Sequence, residues 1–365
     1  MDFELSDEQA MLREVSRTML ASHCPPAIVR ARAGNLDAAL WRRGVELGWV
    51  GLGVPEDLGG ADQGLVELCL VAEELGRAIA PGPVAESALV ALAAARADSE
   101  EHRALASALV AGEVRASLGT HGSVTGTRLD DVVVLDGRLT AVQSASAVDW
   151  LLVAAEIDGS PTLVLVGAAL AETRRLQTLD ETRAWYEVTL ADVRVPAFHV
   201  MAGVDWLLAA AAVLTAADAL GAGERLLEMT VEHVKVREQF GRPLGSFQSV
   251  KHKAADMLAS VKGARAATYY AAMALDAEAT DGTLAASVAK AFTAEAMSSL
   301  AGEALQTHGG IGFTWEHDLH LYLRRLKVDE VLFGAPTEHY ERIVSLLEPA
   351  SPPTATRTDL AQHRT

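Results

Sequence analysis

The spacing of apolar residues changes twice along this chain. Over residues 5 to about 118 it is helical. Ser6 followed by Asp7 and Glu8 reads as an N-cap with an acidic first turn, and Met11, Leu12, Val15, Met19 and Leu20 then recur on one helix face. Cys24, Pro25 and Pro26 stop that helix, because proline lacks the N–H a helix interior needs. A helix over 41–47, a Gly/Pro loop over 51–60, a helix over 65–75 and a break at 80–83 follow. From about 116 the runs become short and β-branched: 131–135, 150–154, 162–166 and 186–190, separated by Gly, Asp and Pro. From 203 to about 347 the helical spacing returns, over 208–235, 250–277, 283–305 and 321–333.

This pattern predicts an α+β chain in three parts: an all-α domain over 1–117, a middle β domain over 118–202, and an antiparallel four-helix bundle over 203–348. Residues 349–365, with Pro352 and Pro353 and no apolar pattern, read as a disordered tail. No internal repeat is visible.

Two interruptions carry chemistry. Between the first two long C-terminal helices lies VREQFGRPLGSFQ over 236–248. Gly241, Pro243 and Gly245 turn the chain there, while Arg237, Gln239 and Gln248 offer donors to an anionic or polar ligand and Phe240 offers an aromatic face. The plain alternative is a capped interhelical turn with one solvated arginine. The second interruption is QTHGGIGFT over 306–314, where Gly309, Gly310 and Gly312 permit positive φ and close approach of backbone to a ligand. Here the alternative is a packing turn.

Size and charge narrow the class. A chain of 365 residues buries a large core. Half of it is hydrophobic, and the formal net charge is -18 with a pI near 5.0. That balance argues against nucleic acid or an anionic membrane surface as partner. Cys24 and Cys69 belong to no CxxC or metal-spaced set and receive no role; a reducing cytoplasm is the simplest context. The N-terminus has no apolar signal core, and the apolar stretch 207–220, interrupted by Asp218, reads as a buried helix and not a membrane span.

REQFG over 237–241, Phe247 and Gln248, ADM over 255–257 and QTHGGIG over 306–312 together resemble the C-terminal half of an acyl-CoA dehydrogenase. FELSDEQ over 3–9, GWVGLGVPEDLGG over 48–60 and EELG over 73–76 resemble its N-terminal half, so the likeness covers nearly the whole chain. LDETR over 179–183 and DVRVP over 192–196 are similar to the strands that lead into the C-terminal helices. The resemblance implies a β-barrel or sandwich in the middle domain, FAD as cofactor and an acyl-CoA as substrate. Oxidation of the thioester's Cα–Cβ bond would deliver electrons to electron-transfer flavoprotein. A carboxylate removes the α-proton in this family while flavin takes the β-hydride.

Against that pattern the usual base is missing. Counting from Gly312, the Glu that most members carry falls on Phe333, followed by Gly334 and Ala335. The alternative position in some members falls on Ala211, followed by Ala212 where an Arg is usual. Neither Phe nor Ala accepts a proton. Glu330, three residues before Phe333 and so on the same helix face, is the fallback, beside Asp329, with Asp205 and Glu338 weaker; each also reads as a surface charge. The family's own-subunit flavin stretches correspond to 117–123 and 141–145, where the pattern is degraded. The stretches lent across the dimer, with Arg237, Gln239, Phe240, Gln248, Gln306, Gly309 and Gly310, are intact. Arg325 replaces an acid common after Arg324, so a family salt bridge is in doubt, and His308 reads as a structural hydrogen bonder.

The resemblance therefore points to the non-catalytic subunit of a heteromeric acyl-CoA dehydrogenase of the steroid side-chain type, in an α2β2 assembly with a second acyl-CoA dehydrogenase subunit. The run LFGAPTEH over 332–339 is similar to endings in such subunits. Two other readings stay open: a self-sufficient homo-oligomer with a displaced base, and a flavin-free acyl-CoA-binding or scaffold protein.

Overall fold

In the computed structural model, residues 4–97 and 99–347 are described, so the tail expected over 349–365 lies outside them. The first helix, α1 (Asp7–His23), opens on the expected cap: the Ser6 hydroxyl accepts the Gln9 N–H and the Gln9 side chain accepts the Ser6 N–H. Pro25 ends it, but Pro26 begins α2 (Pro26–Arg32), because a first-turn residue needs no N–H. Then come α3 (Ala38–Glu46), α4 (Leu65–Arg77), α5 (Val84–Ala95) and α6 (Glu100–Val110).

The middle domain holds β1 (Ala116–Gly119), β2 (His121–Leu129), β3 (Val132–Gln143), β4 (Trp150–Ile157), β5 (Ser160–Gly167), β6 (Glu172–Arg175), β7 (Trp185–Pro196) and β8 (Val200–Met201). They form one mixed eight-stranded sheet in the order β6-β7-β3-β2-β4-β5-β8, with β1 beside β4. The apolar runs of the sequence locate β4, β5 and β7 and part of β3. They miss β2, whose residues are mostly exposed, and β6, which is polar throughout. Both owe their place to ladder hydrogen bonds rather than to side-chain burial.

The last domain runs α7 (Val204–Val236), a hairpin of β9 (Glu238–Gln239) and β10 (Arg242–Pro243), α8 (Gln248–Asp276), α9 (Gly282–His308), α10 (Leu319–Asp329) and α11 (Pro336–Leu347). By length and composition α7 could cross a membrane, yet 89% of its most apolar window is buried inside the fold. Both cysteines are free and buried. The helix expected over 321–333 ends at Asp329, four residues short of Phe333.

Close approach of α4 to α7 holds the N-terminal and C-terminal domains together. Gly76 and Gly221 make the contact possible: a Cβ on Gly221 would lie 1.8 Å from the Glu73 carbonyl oxygen, and one on Gly76 would lie 1.9 Å from that of Asp218. At this contact the buried Glu73 carboxylate accepts from Arg265 at 2.7 Å and from the Tyr269 hydroxyl at 2.8 Å. Its neighbour Glu74 binds Arg17 with two hydrogen bonds. The Asp276 carboxylate accepts the Leu65 and Val66 N–H groups, which caps α4 from α8.

Gly221→Ala must push α4 and α7 apart and should cost about 2–3 kcal/mol in urea unfolding. Gly302→Ala, on α9 with open space around the new methyl, should be neutral or stabilise by up to about 1 kcal/mol.

Candidate functional site

Phe333 and Ala211, the two residues that the resemblance sets at base positions, line one cavity of about 40 Å³. They are far apart in sequence and meet because α7 passes under the turn that follows α10. That turn is unusual. Phe333 sits at φ +56°, in the left-handed region that a bulky residue rarely enters, and Gly334 follows at φ +109°.

The backbone of this turn is held from within the chain. Lys290, 1% exposed, points its ammonium at the carbonyl oxygens of Asp329, Glu330 and Gly334, each at 3.0 Å. Burial pulls its pKa down to about 8, against nearby acidic groups that pull it up. The Phe333 N–H donates to His121 Nε2 at 3.2 Å, so His121 is neutral with its proton on Nδ1. Burial holds that imidazole below its ordinary pKa, consistent with the neutral form. His339 Nε2 lies 3.0 Å from the Phe333 carbonyl and donates to it. The Glu338 carboxylate accepts the Ala335 N–H at 2.8 Å. The Phe333 and His121 rings also pack at 5.5 Å.

Sequence spacing placed Glu330 on the same helix face as Phe333; the structure corrects this. The helix ends before Glu330, whose carboxylate turns to the Ser298 hydroxyl and the Lys327 ammonium and does not line the cavity. Asp205 is exposed, near Arg342, and Glu338 is spent on the turn. Asp329 is buried against Arg183.

The cavity does contain a carboxylate that sequence spacing did not single out. Glu86 of α5 lines it, with its pKa pushed up to about 7 by burial. Gln143 Nε2 donates to Glu86 at 3.2 Å and to the Gly82 carbonyl at 2.8 Å. No motif surrounds Glu86, and only the folded chain brings Gln143, Arg183, Arg325 and Asp218 to the same cavity.

Arg183, Asp218 and Arg325, which also line the cavity, belong to a buried ion network. Arg325 clasps Asp218 of α7 with two hydrogen bonds, at 2.9 and 2.6 Å, and reaches Thr182 and the Ala80 carbonyl. Arg183 binds Asp180 and Asp329. The acid missing beside Arg324 is thus replaced by a reversed pair: arginine on α10, aspartate on α7. Burial and the Asp218 charge raise the Asp329 pKa to about 7, while Arg325 and Arg183 hold Asp218 low against its own burial. Arg324 itself packs over the Trp315 ring at 4.4 Å and pairs with Glu181.

The two other stretches come together at the opposite end of the bundle. In the hairpin turn, Phe240 and Gly241 take φ +53° and +76°, and the Phe240 ring is 93% exposed. Arg237, Gln239, Gln248 and Gln306 are exposed around it. The His233 ring of α7 stacks on His308 of α9 at 4.4 Å, which brings the Arg237 corner beside Gly309 and Gly310. His308 is buried and bonds the Ala304 carbonyl, a structural place. Arg237 caps the helix that carries Ala211, 26 residues and so about 39 Å further on. Arg237 therefore has no reach to its own chain's cavity.

Tested against FAD, the two ends differ. Around Phe333 the residues do not fit a flavin and a thioester. Only Thr120 separates β1 from β2, and His121 takes up the space beside Phe333. The 40 Å³ cavity and a second opening of about 250 Å³ share Phe333 as a wall, and together they reach only the lower end of the roughly 300–1,000 Å³ of ordinary ligand sites. At the Arg237 corner a cation, amide groups and an aromatic face are exposed, and these fit the phosphates and ring of a dinucleotide held by another chain.

A helical domain, a mixed sheet and a helical bundle closing on one cleft form the acyl-CoA dehydrogenase architecture. Residues 6–113 match the acyl-CoA dehydrogenase N-terminal domain and residues 202–345 the C-terminal domain. The chain is 34% identical over 346 residues to acyl-CoA dehydrogenase IpdE2 of Mycobacterium tuberculosis, covering 93% of this chain and 97% of the relative. In structure it is similar to a chain of the ChsE4-ChsE5 complex from Mycobacterium tuberculosis, with TM-score 0.90, 30% identity and coverage of 96% and 100%. It is also similar to a variant of the Tcur3481-Tcur3483 steroid ACAD, with TM-score 0.87, 30% identity and coverage of 93% and 97%. This chain belongs to the acyl-CoA dehydrogenase family.

The raised Asp329 pKa has a consequence for stability. An unfolded aspartate titrates near ~3.9, so this group's contribution is complete below that pH and is lost as the pH rises to about 7. Urea titrations should show the wild type losing stability relative to Asp329→Asn over that interval, by at most about 4 kcal/mol at ~1.36 kcal/mol per pKa unit.

Proposed function

We propose that this chain is the base-lacking subunit of a heteromeric, FAD-dependent acyl-CoA dehydrogenase that oxidises steroid side-chain CoA esters. The observation that carries the reading is the Phe333 turn. An apolar ring occupies the family's base position, and the backbone N–H and C=O of the same residue are taken by His121 and His339. Loss of a positioned base alone removes ~10²–10⁴-fold of rate.

FAD bound to the assembly would accept the substrate's hydride. This chain's part is to bind and orient. Arg237 holds phosphate charge, Gln239, Gln248 and Gln306 donate hydrogen bonds, Phe240 supplies a stacking face, and Gly309 and Gly310 let backbone approach the cofactor. The similarity to chains of the ChsE4-ChsE5 complex and to a steroid ACAD supports a second acyl-CoA dehydrogenase subunit as partner and a steroid CoA ester as substrate. Electron-transfer flavoprotein is the acceptor in this reading.

A second reading rests on Glu86. Its carboxyl, with a pKa near 7, lies in the cavity with Phe333 and would serve as a displaced base in a self-sufficient homomer. The size of the cavity weighs against it.

Expression separates the readings. The chain alone should purify without flavin, and with its partner subunit as a yellow complex holding fewer flavins than chains. Arg237→Ala should weaken flavin binding in that complex by roughly tenfold or more, the weight of a charge-assisted contact. A yellow homomer with one flavin per chain, whose acyl-CoA oxidation is abolished by Glu86→Gln, would establish the second reading instead. A colourless protein in both preparations would leave the flavin-free scaffold.

A further inference from the structure

Three histidine rings stand together where α7, α9 and the segment before α10 meet. His233, in the last turn of α7, stacks on His308, the last residue of α9, with ring centroids 4.4 Å apart. His317, two residues before α10, meets the same His308 ring edge-on at 4.9 Å. The three rings tie the Arg237 corner, the turn over Gly309–Phe313 and the start of α10 to one another.

Hydrogen-bond directions show which protonation state this packing admits. The Leu319 N–H donates to His317 Nδ1 at 3.1 Å, so that nitrogen carries no proton. The bond satisfies a first-turn N–H of α10, one of those a helix leaves unpaired. His308 Nδ1 lies 2.8 Å from the Ala304 carbonyl oxygen, which only accepts, so a proton sits on Nδ1. His308 Nε2 is buried with no partner among the described residues. A second proton at His308 would find no acceptor there, and a second proton at His317 would face the Leu319 N–H.

The surroundings do not favour a cation either. Burial holds His233 and His308 below the ordinary imidazole range. The charges acting on His233 are those of His317 and Arg237, and on His308 those of His233 and His317, so none is acidic. Of the acids close in sequence, Glu232 is paired with Arg225, Glu303 with Lys253 and Asp318 with Arg30, while Glu238 and Glu316 are exposed. On α10, His320 turns to the Trp315 carbonyl. We propose that the three rings form an acid-opened latch: proton uptake by His308 or His317 parts α7 from the 309–318 segment and frees the Leu319 N–H. An imidazole held low stabilises the closed form above ~6.5, and that contribution is lost as the pH falls below it. The latch stands on this chain's own geometry; its consequence, loosening of the flavin at the Arg237 corner in acid, rests on the function proposed above.

Amide hydrogen exchange of the full chain, in complex with its partner where the two purify together, reads the latch without reference to flavin. After correction for intrinsic exchange, protection over 309–321, the Leu319 amide included, should fall between about pH 7.5 and about pH 5.0, by up to about 30-fold for each imidazole that takes up a proton. Helix α4 should keep its protection over the same interval, which separates local opening from acid unfolding. His317→Asn keeps an acceptor for the Leu319 N–H but takes up no proton, and should remove one ring's share of the acid response. His233→Phe keeps an aromatic face on His308 without a titrating nitrogen and should also blunt the response, which keeps the test open where one variant misfolds. Protection over 309–321 that is the same at both pH values overturns the proposal. So does an equal loss in α4, or a wild-type acid response in the folded variants. A latch that opens while flavin affinity stays constant upholds the proposal and tells against the Arg237 corner as a flavin site.

Discussion

The buried ion network joining Asp180, Arg183, Asp218, Arg325 and Asp329 is the constraint on which the site depends. It draws on every domain: the loop before β7, helix α7, helix α10 and, through the Ala80 carbonyl, the N-terminal helices. Charges taken out of water are costly unless each is paired, and removal of one partner leaves the other stranded. Two arginines face three carboxyls, the Lys290 ammonium lies against the Asp329 carbonyl, and burial raises the Asp329 pKa to about 7. With Asp329 fixed, α10 ends where it does and the following turn is thrown across the cavity.

That turn narrows the cleft between α7 and the end of α10. The polar backbone groups around Phe333 already have partners in Lys290, His121, His339 and Glu338. Those four side chains come from three separate elements, α9, β2 and α11. The positive φ of Phe333 is sustained because so many contacts determine it.

Helix α7 does two jobs by its length. At its buried end it supplies Ala211 and Asp218 to the cleft and meets α4 through Gly221. At its far end, about 39 Å on, it delivers Arg237 to an exposed corner, where the His233–His308 stack assembles a second surface from α9. One rigid element thus joins a buried cleft to an exposed corner.

Much of this was legible along the chain. Helical spacing marked the long helices, because each buries one stripe. The breaks at 236–248 and 306–314 stood out because Gly and Pro interrupt a period. Strands β2 and β6 were not legible, since exposed strands carry no apolar pattern. Nor were the convergence of Ala211 on Phe333, the role of His121, the position of Glu86 or the reversed Arg325–Asp218 pair. Each depends on groups distant in sequence meeting in space, from 57 residues apart for Glu86 and Gln143 to 212 for His121 and Phe333. The sequence by itself determined where the long helices run and where they break. Only the tertiary structure decided that the cleft is closed and the Arg237 corner open, because burial and hydrogen-bond partners are properties of packing between elements and not of any one of them.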